Sequence, residues 1–245
     1  GYSGGSWSLV GSGAANNFMA QNLSLAALSD NNLVLLQKCN SKSDPFKRND
    51  LVVSLYNGSW NSNTVLDITS MAAVKTCKAG GAAYALVIRR GSPCPFDVLK
   101  YENGTWTALR TNFLRDGASN TGNFALTADD ALNNGEYRFI VEKYSSVTGT
   151  WSVVGGDYYP YVHSNKNDEA RIAVAPDGTP YLLYYDCTNK TLRLTWFDSD
   201  TKQWAEPVVV ATEALSSPCI AFAASGVGYI AFTDANNAEK VFIYR

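Results

Sequence analysis

One feature restricts the fold of this chain more than any other: a tryptophan closes a turn, again and again, at nearly even spacing. The stretches are Ser3-Gly4-Gly5-Ser6-Trp7, Tyr56-Asn57-Gly58-Ser59-Trp60, Tyr101-Glu102-Asn103-Gly104-Thr105-Trp106, Tyr144 through Gly149-Thr150-Trp151, and Phe197 to Trp204. The tryptophans at 7, 60, 106, 151 and 204 stand 53, 46, 45 and 53 residues apart, and joining residue 245 to residue 1 makes the last step 48. A period of about 40–50 residues built from short strands is the sequence mark of a β-propeller. Near-equal steps that also close across the termini predict a circle. The expected fold is all-β, a single five-bladed propeller domain over residues 1–245.

The strand grammar is clearest in the fourth repeat. Arg171 to Ala175 alternates, and Pro176-Asp177-Gly178-Thr179 is turn chemistry. Pro180 to Tyr185 is apolar enough for a strand buried on both faces, Thr191 to Phe197 alternates again, and a turn leads into Trp204 through Val210. Four strands with tight turns make one blade, lettered A (innermost) to D (outermost). The same frame gives Leu23–Leu28, Leu33–Cys39, Asp50–Tyr56 and Ser59–Leu66 in blade one. Blade two takes Met71–Cys77, Ala83–Arg89, Phe96–Tyr101 and a strand from Trp106. Blade five runs Cys219–Ala224, Gly228–Thr233 and Lys240–Tyr244, and the N-terminal strand Ser6–Val10 is expected to complete it, closing the ring and removing an open sheet edge. In blade three, Glu136–Tyr144 is strand C. Either Phe124–Asp129 is B with an irregular A over Phe113–Gly122, or the blade has three strands. The repeated tryptophan is read as packing, its ring covering the gap to the neighbouring blade.

Composition excludes several function classes. With a net charge of −2 and a pI near 5.4 the chain lacks the basic surface that nucleic-acid phosphates need. No run approaches the ~18 apolar residues of a membrane span. No P-loop, dinucleotide fingerprint, HExxH or EF-hand pattern occurs, and no cofactor or metal is expected. Gly1-Tyr2-Ser3-Gly4-Gly5 matches the GxSxG pattern of serine hydrolases. It falls in a C–D turn rather than at a strand-to-helix elbow, and it is set aside. His163 is the one histidine in the chain, and no local sequence marks a nucleophile for it to serve.

Five cysteines lie at 39, 77, 94, 187 and 219 without a CxxC pair, so metal-site spacing is absent. B–C and D–A connections share one face of a propeller. Cys39–Cys94 and Cys187–Cys219 are therefore expected to bridge neighbouring blades there, leaving Cys77 as a free thiol. The alternative is that all five are reduced. Bridges would place the chain in an oxidising compartment, secreted or at the cell surface. Its low Lys and high Asn, Ser, Thr, Gly and Tyr content points the same way. Sequons at Asn22, Asn57, Asn103 and Asn189 are possible glycosylation sites.

The most unusual segment is Gly155 to Glu169, which connects the outer strand of blade three to the inner strand of blade four. Tyr158, Tyr159, Tyr161, His163, Glu169 and Arg171, with Asp186 beside them, form the candidate ligand-binding set at the channel mouth. Tyrosine faces stack on sugar rings, and carboxylates and arginine grip hydroxyls. The bland reading is that the tyrosines cover gaps and the charges are solvated. Asp168, Glu169 and Asp186 also raise glycoside hydrolysis, which needs two carboxyl groups ~5–9.5 Å apart. Adjacent strand residues point to opposite sides, so Asp168 and Glu169 do not both face a channel. The inner strands Leu23–Ala27, Met71–Val74 and Ile220–Ala223 are mostly apolar or small.

Five repeats with terminal closure resemble the five-bladed propellers that include the tachylectin-like lectins, and "DGTPYLLYYD…LRLTWFD…W" looks like repeats of secreted propellers. The resemblance implies the fold and a tendency toward extracellular recognition. The lectins repeat one sugar site in near-identical blades, whereas these blades differ strongly in their loops. The expected function is a non-catalytic extracellular recognition or adhesion module binding a glycan or protein partner. The alternatives are a glycoside hydrolase of five-bladed type and a structural module of a larger extracellular assembly.

Overall fold

The computed structural model describes residues 2–3, 6–7, 19–29, 32–40, 48–66, 68, 71–79, 81–90, 95–113, 116–121, 124–129, 137–155, 161–162, 170–186, 188–212, 215–234 and 240–245. Every regular element among them is a β-strand. The chain is all-β and built of propeller blades, and it divides into two compact units, Gly1–Phe113 and Leu114–Arg245.

The first unit begins with a short hairpin, β1 (Tyr2–Ser3) and β2 (Ser6–Trp7). Blade one follows as β3 (Met19–Ser29), β4 (Asn32–Asn40), β5 (Arg48–Tyr56) and β6 (Trp60–Leu66), each antiparallel to the next. Blade two repeats it with β7 (Met71–Ala79), β8 (Ala82–Arg89), β9 (Phe96–Glu102) and β10 (Thr105–Phe113). Alternation sets which side chains meet between the blades. Val34, Leu36, Leu51 and Val53 of blade one pack on Met71, Val74, Ala83, Ala85 and Val87 of blade two. Polar staples join the inner strands. The Asn22 carboxamide oxygen accepts from Val74 N–H at 2.8 Å, and Ser24 Oγ accepts from Thr76 N–H at 2.7 Å. Inner strand β7 has a sheet neighbour on one side only, so its outward N–H groups need these acceptors.

The second unit holds three consecutive sheets. Blade three is β11 (Asp116–Thr121), β12 (Phe124–Asp129), β13 (Tyr137–Ser145) and β14 (Thr150–Val153), with β15 (Tyr161–Val162) also on β13. Blade four is β16 (Ala170–Val174), β17 (Pro180–Asp186), β18 (Thr191–Asp198) and β19 (Gln203–Trp204), with β20 (Val208–Thr212) resuming the outer strand. The last sheet has three strands, β21 (Leu215–Phe222), β22 (Gly228–Asp234) and β23 (Lys240–Tyr244). Phe124, Phe139 and Val141 meet Ala170, Ile172, Leu182 and Tyr184 between blades three and four. Leu183 and Leu192 meet Ile230 and Phe232 between blade four and the last sheet.

The tryptophan grammar takes structural form as a cross-strand aromatic pair at each C–D turn. Trp60 lies opposite Tyr56, Trp106 opposite Tyr101, Trp151 opposite Tyr144 and Trp204 opposite Phe197. Their ring centroids are 5.3, 5.1, 5.4 and 5.9 Å apart. Trp204 also covers the gap to blade three. It is 7% exposed, its indole N–H donates to the Val154 carbonyl at 3.0 Å, and its ring edge lies over Gly155.

The blade count needs correction. Four sheets carry a full set of strands and the last carries three, so the structure shows four complete blades rather than five. Terminal closure is not seen among the described residues, because β2 pairs with β1 and sets Trp7 opposite Tyr2, as Trp106 faces Tyr101. The Gly1–Trp7 stretch thus supplies both halves of its own hairpin. Cys219 is an exposed free thiol, and its expected partner Cys187 lies outside the described residues. The strand holding it begins at Leu215, which moves Cys219 from the start of the strand to mid-strand opposite Ala231. Cys187 and Cys94 lie outside the described residues, Cys39 sits in β4 opposite Ala20 and Asp50, and Cys77 sits in β7 opposite Tyr84. In blade three, the four-strand alternative is the one found, with the inner strand formed by Asp116–Thr121.

Candidate functional site

Three members of the sequence-derived set fall on described elements, at the end of blades three and four where strands B and C connect. Tyr158, Tyr159, His163 and Glu169, with Asp168, lie outside the described residues. Tyr161 is in β15, opposite Arg138 of β13. Arg171 is the second residue of inner strand β16. It lies between buried Ala170 and Ile172, half-buried, with its guanidinium donating to the Ala170 carbonyl at 2.8 Å.

Asp186 ends β17 and is 7% exposed. Its Oδ1 accepts from the backbone N–H groups of Thr188 and Asn189, both at 3.1 Å. Its Oδ2 accepts from Asn189 Nδ2 at 2.7 Å and pairs with Arg193 Nε at 3.1 Å. The chain turns here with Lys190 at φ +52°, and the carboxylate binds the turn to strand β18. Arg193 Nε also donates to Thr191 Oγ1 at 3.0 Å. Asp186 therefore braces the B–C turn, a task that occupies both of its oxygens.

The opposite end of the same two blades holds a cavity of about 190 Å³ that sequence reasoning missed. Phe124 and Phe197 give it aromatic walls, and Lys143, Asp177 and Thr179 give it polar ones. Lys143 Nζ stands 5.2 Å from the Phe124 ring centroid, a cation–π contact. The backbone N–H of Thr179, donating at 2.9 Å, is the main cause holding the Asp177 carboxyl below the usual carboxylate range. The available signals were the Asp177-Gly178 turn and a lysine beside the C-strand aromatic Tyr144. A second pocket, of about 420 Å³, runs between blade four and the last sheet along Tyr181, Ile220, Phe222 and Ile230. The Tyr181 and Phe222 rings there are 4.7 Å apart. Among the described residues no group of three or more His, Cys, Asp and Glu side chains is placed to hold a metal ion.

Of the sequons, Asn57, Asn103 and Asn189 are exposed and Asn22 is half-buried. Asn22 and Asn189 use their carboxamides inside the fold, on Val74 N–H and on Asp186.

No protein-family model matches the chain, and no curated protein matches it. Solved structures do. A protein of unknown function from Dyadobacter fermentans superposes with a TM-score of 0.59 at 9% identity, over 92% of this chain and 78% of that one. An endo-arabinase from Bacteroides thetaiotaomicron gives 0.47 at 12% identity over 94% of each chain. An auxiliary nutrient binding protein from the same organism gives 0.49 at 14% identity, over 92% of this chain and 56% of that one. The first likeness shows a shared fold alone, and the other two, below 0.5, add nothing to it.

Proposed function

We propose that the chain is a non-catalytic recognition module, acting outside the cell, that binds a glycan or a protein partner through the B–C end of blades three and four. The contacts are assigned to Tyr158, Tyr159, Tyr161, His163, Glu169 and Arg171. Asp186 holds the turn beside them. The Cys39–Cys94 bridge, across the B–C ends of blades one and two, belongs to the same reading.

The observation that carries it is the bonding of Asp186. A glycosidase needs two carboxyl groups whose oxygens are free to give, take or attack. The described carboxylate of the candidate set accepts from two backbone N–H groups, an amide and a guanidinium, so no oxygen is open to a substrate. A carboxylate committed to its own turn, next to a segment rich in tyrosine by sequence, suits binding better than proton transfer.

The test is a glycan array probed with the wild type and with a Tyr159→Ala/Glu169→Ala double variant that retains the wild-type unfolding midpoint. The expected result is glycan or partner binding by the wild type that the double variant loses. Release of reducing sugar from a polysaccharide panel by the wild type, abolished in Glu169→Gln, would overturn the reading in favour of a hydrolase.

A further inference from the structure

We propose that the cavity between blades three and four, at the end where strands A–B and C–D turn, is a binding site for one neutral hydroxylated ring, a single monosaccharide unit. It lies at the opposite end of these blades from Asp186 and its turn, and it does not depend on the reading above.

Register within the chain singles this gap out. The residue of strand C just before the turn aromatic is Leu55 in blade one, Lys100 in blade two and Lys143 in blade three. Each lies opposite a residue of strand B, Val34, Tyr84 and Phe124 in turn. In blade one Val34 and Leu55 join the apolar cluster that packs against blade two. In blade three the same two places hold Phe124 and Lys143, and they border the cavity of about 190 Å³. A gap closed by apolar side chains in one pair of blades is open and polar-walled in the other.

Lys143 is also left uncommitted. Its Nζ rests 5.2 Å from the Phe124 ring centroid and makes no ion pair among the described residues. Lys100 rests on Tyr84 in the same way, at 6.0 Å, but there Glu102 binds the ammonium at 2.7 Å. Blade three has Ser145 in the place of Glu102, and the Ser145 hydroxyl accepts from Thr148 N–H at 3.3 Å.

The remaining walls decide the ligand. Phe197 faces the cavity beside Phe124, and Asp177, Thr179 and Ser199 supply polar atoms. Asp177 and Ser199 are exposed, and Thr179 N–H holds the Asp177 carboxyl ionised. A carboxylate accepts about four hydrogen bonds, so this turn bond leaves Asp177 with acceptor capacity that Asp186 has used up. A charged ligand of either sign would meet one like charge, from Lys143 or from Asp177. A neutral ring with hydroxyls accepts from Lys143, donates to Asp177 and does either with Ser199. Its C–H face rests on the phenylalanine rings, whose faces carry the negative part of the quadrupole. Cavities that enclose drug-sized ligands measure about 300–1,000 Å³, so this one suits a single ring rather than a chain of them.

The probe is a panel of neutral monosaccharides titrated into the whole chain, with acetate and guanidinium as charged controls, followed by NMR of labelled phenylalanine rings. The expected result is that a sugar shifts the Phe124 and Phe197 resonances with a Kd on the order of 1 mM. Lys143→Leu puts the blade-one residue in the gap. It should keep or raise the unfolding midpoint and weaken binding about tenfold or more. Ser199→Ala, at an exposed turn, should weaken it about threefold. The Tyr159→Ala/Glu169→Ala variant should bind the monosaccharide as the wild type does, which separates this site from the loop-end one. Three results would overturn the proposal. The first is no shift at either ring with any sugar at about 100 mM, a hundredfold above the expected Kd. The second is sugar binding undiminished in Lys143→Leu. The third is acetate or guanidinium binding more tightly than every sugar.

Discussion

Gly155 offers a way to measure how tightly the turn tryptophan seals the gap between blades three and four. Its φ is +82°, and a Cβ placed there would stand 2.6 Å from both Cδ1 and Nε1 of Trp204 and 3.2 Å from Phe197 Cε2. The indole has little freedom to retreat, being buried and tethered by its N–H to the Val154 carbonyl at 3.0 Å. Gly155→Ala therefore combines two costs. The left-handed backbone costs about 1–2 kcal/mol for a residue with a Cβ. Forcing a methyl into a packed contact adds about 1–3 kcal/mol. Gly178 isolates the first cost, because its φ is +91° and a methyl on its Cα would meet nothing within 4 Å. Gly178→Ala is thus expected to lose about 1–2 kcal/mol and Gly155→Ala about 2–5 kcal/mol. Urea unfolding followed by far-UV circular dichroism reads both, and it leaves the tryptophan free to be changed. Trp204→Phe removes the pyrrole atoms that the new methyl meets, so in that background the excess cost of Gly155→Ala should largely vanish. Equal losses for the two glycines, or an excess that survives Trp204→Phe, would refute the reasoning.

Asp186→Ala should destabilise the second unit by about 2–4 kcal/mol, since it strips acceptors from two backbone N–H groups and leaves the Arg193 guanidinium without its carboxylate. Asp186→Asn, which keeps the Oδ1 acceptor, should lose about half of that, and a change under about 0.5 kcal/mol for the alanine variant would count against the brace. Acid stability should depend on Asp177 and Asp198. Turn N–H groups, first that of Thr179 and first that of Asp200, hold their carboxyls below the usual range. A carboxyl whose folded pKa is depressed contributes stability that is complete above its unfolded pKa of about 4 and is lost as pH falls through the lower folded value. The urea midpoint of Asp177→Asn/Asp198→Asn should therefore fall less steeply below about pH 4 than that of the wild type, and parallel curves would sink the assignment. In a host that glycosylates, peptide mapping should find glycan at the exposed turn residues Asn57 and Asn103 and none at Asn22, whose carboxamide holds β3 to β7. An occupied Asn22 in folded protein would contradict that staple.

The strand frame is legible in the sequence because its signals are local. Tyr101-Glu-Asn-Gly-Thr-Trp106 contains both partners of an aromatic pair and the turn between them, with Asn103 and Gly104 at φ +50° and +80°. Nothing distant is needed to read it. Asp116–Thr121 carries no such signal, since Asp-Gly-Ala-Ser-Asn-Thr has low strand propensity, and it is a strand because β12 beside it offers a ladder. Cys219 was displaced for a related reason. Pro218 interrupts the strand pattern of Leu215–Phe222, and a register shift between Ser216 and Cys219 absorbs it, so the strand starts earlier than its apolar run. The sequon Asn22-Leu23-Ser24 hid a different role. Its two polar side chains alternate along an inner strand and meet Val74 and Thr76, each 52 residues on, which is one repeat away.

The role of Asp186 was readable by comparison within the chain. Asp198 Oδ1 accepts from the N–H groups of the second and third residues after it, Asp200 and Thr201, at 2.8 and 3.3 Å. Asp186 Oδ1 does the same with Thr188 and Asn189. Asp177 does so with Thr179. Asp186 and Asp198 end strands and Asp177 lies within a turn, and each folds back on the N–H two residues on, because its carboxylate is the nearest acceptor for an N–H left outside the ladder. These three aspartates are accordingly turn residues first. Burial and the Arg193 pair distinguish Asp186 from the others in strength rather than in kind. The binding proposed for this end of the blades is accordingly assigned to the tyrosine segment and Arg171 rather than to the Asp186 carboxylate, whose oxygens are taken by its own turn and Arg193.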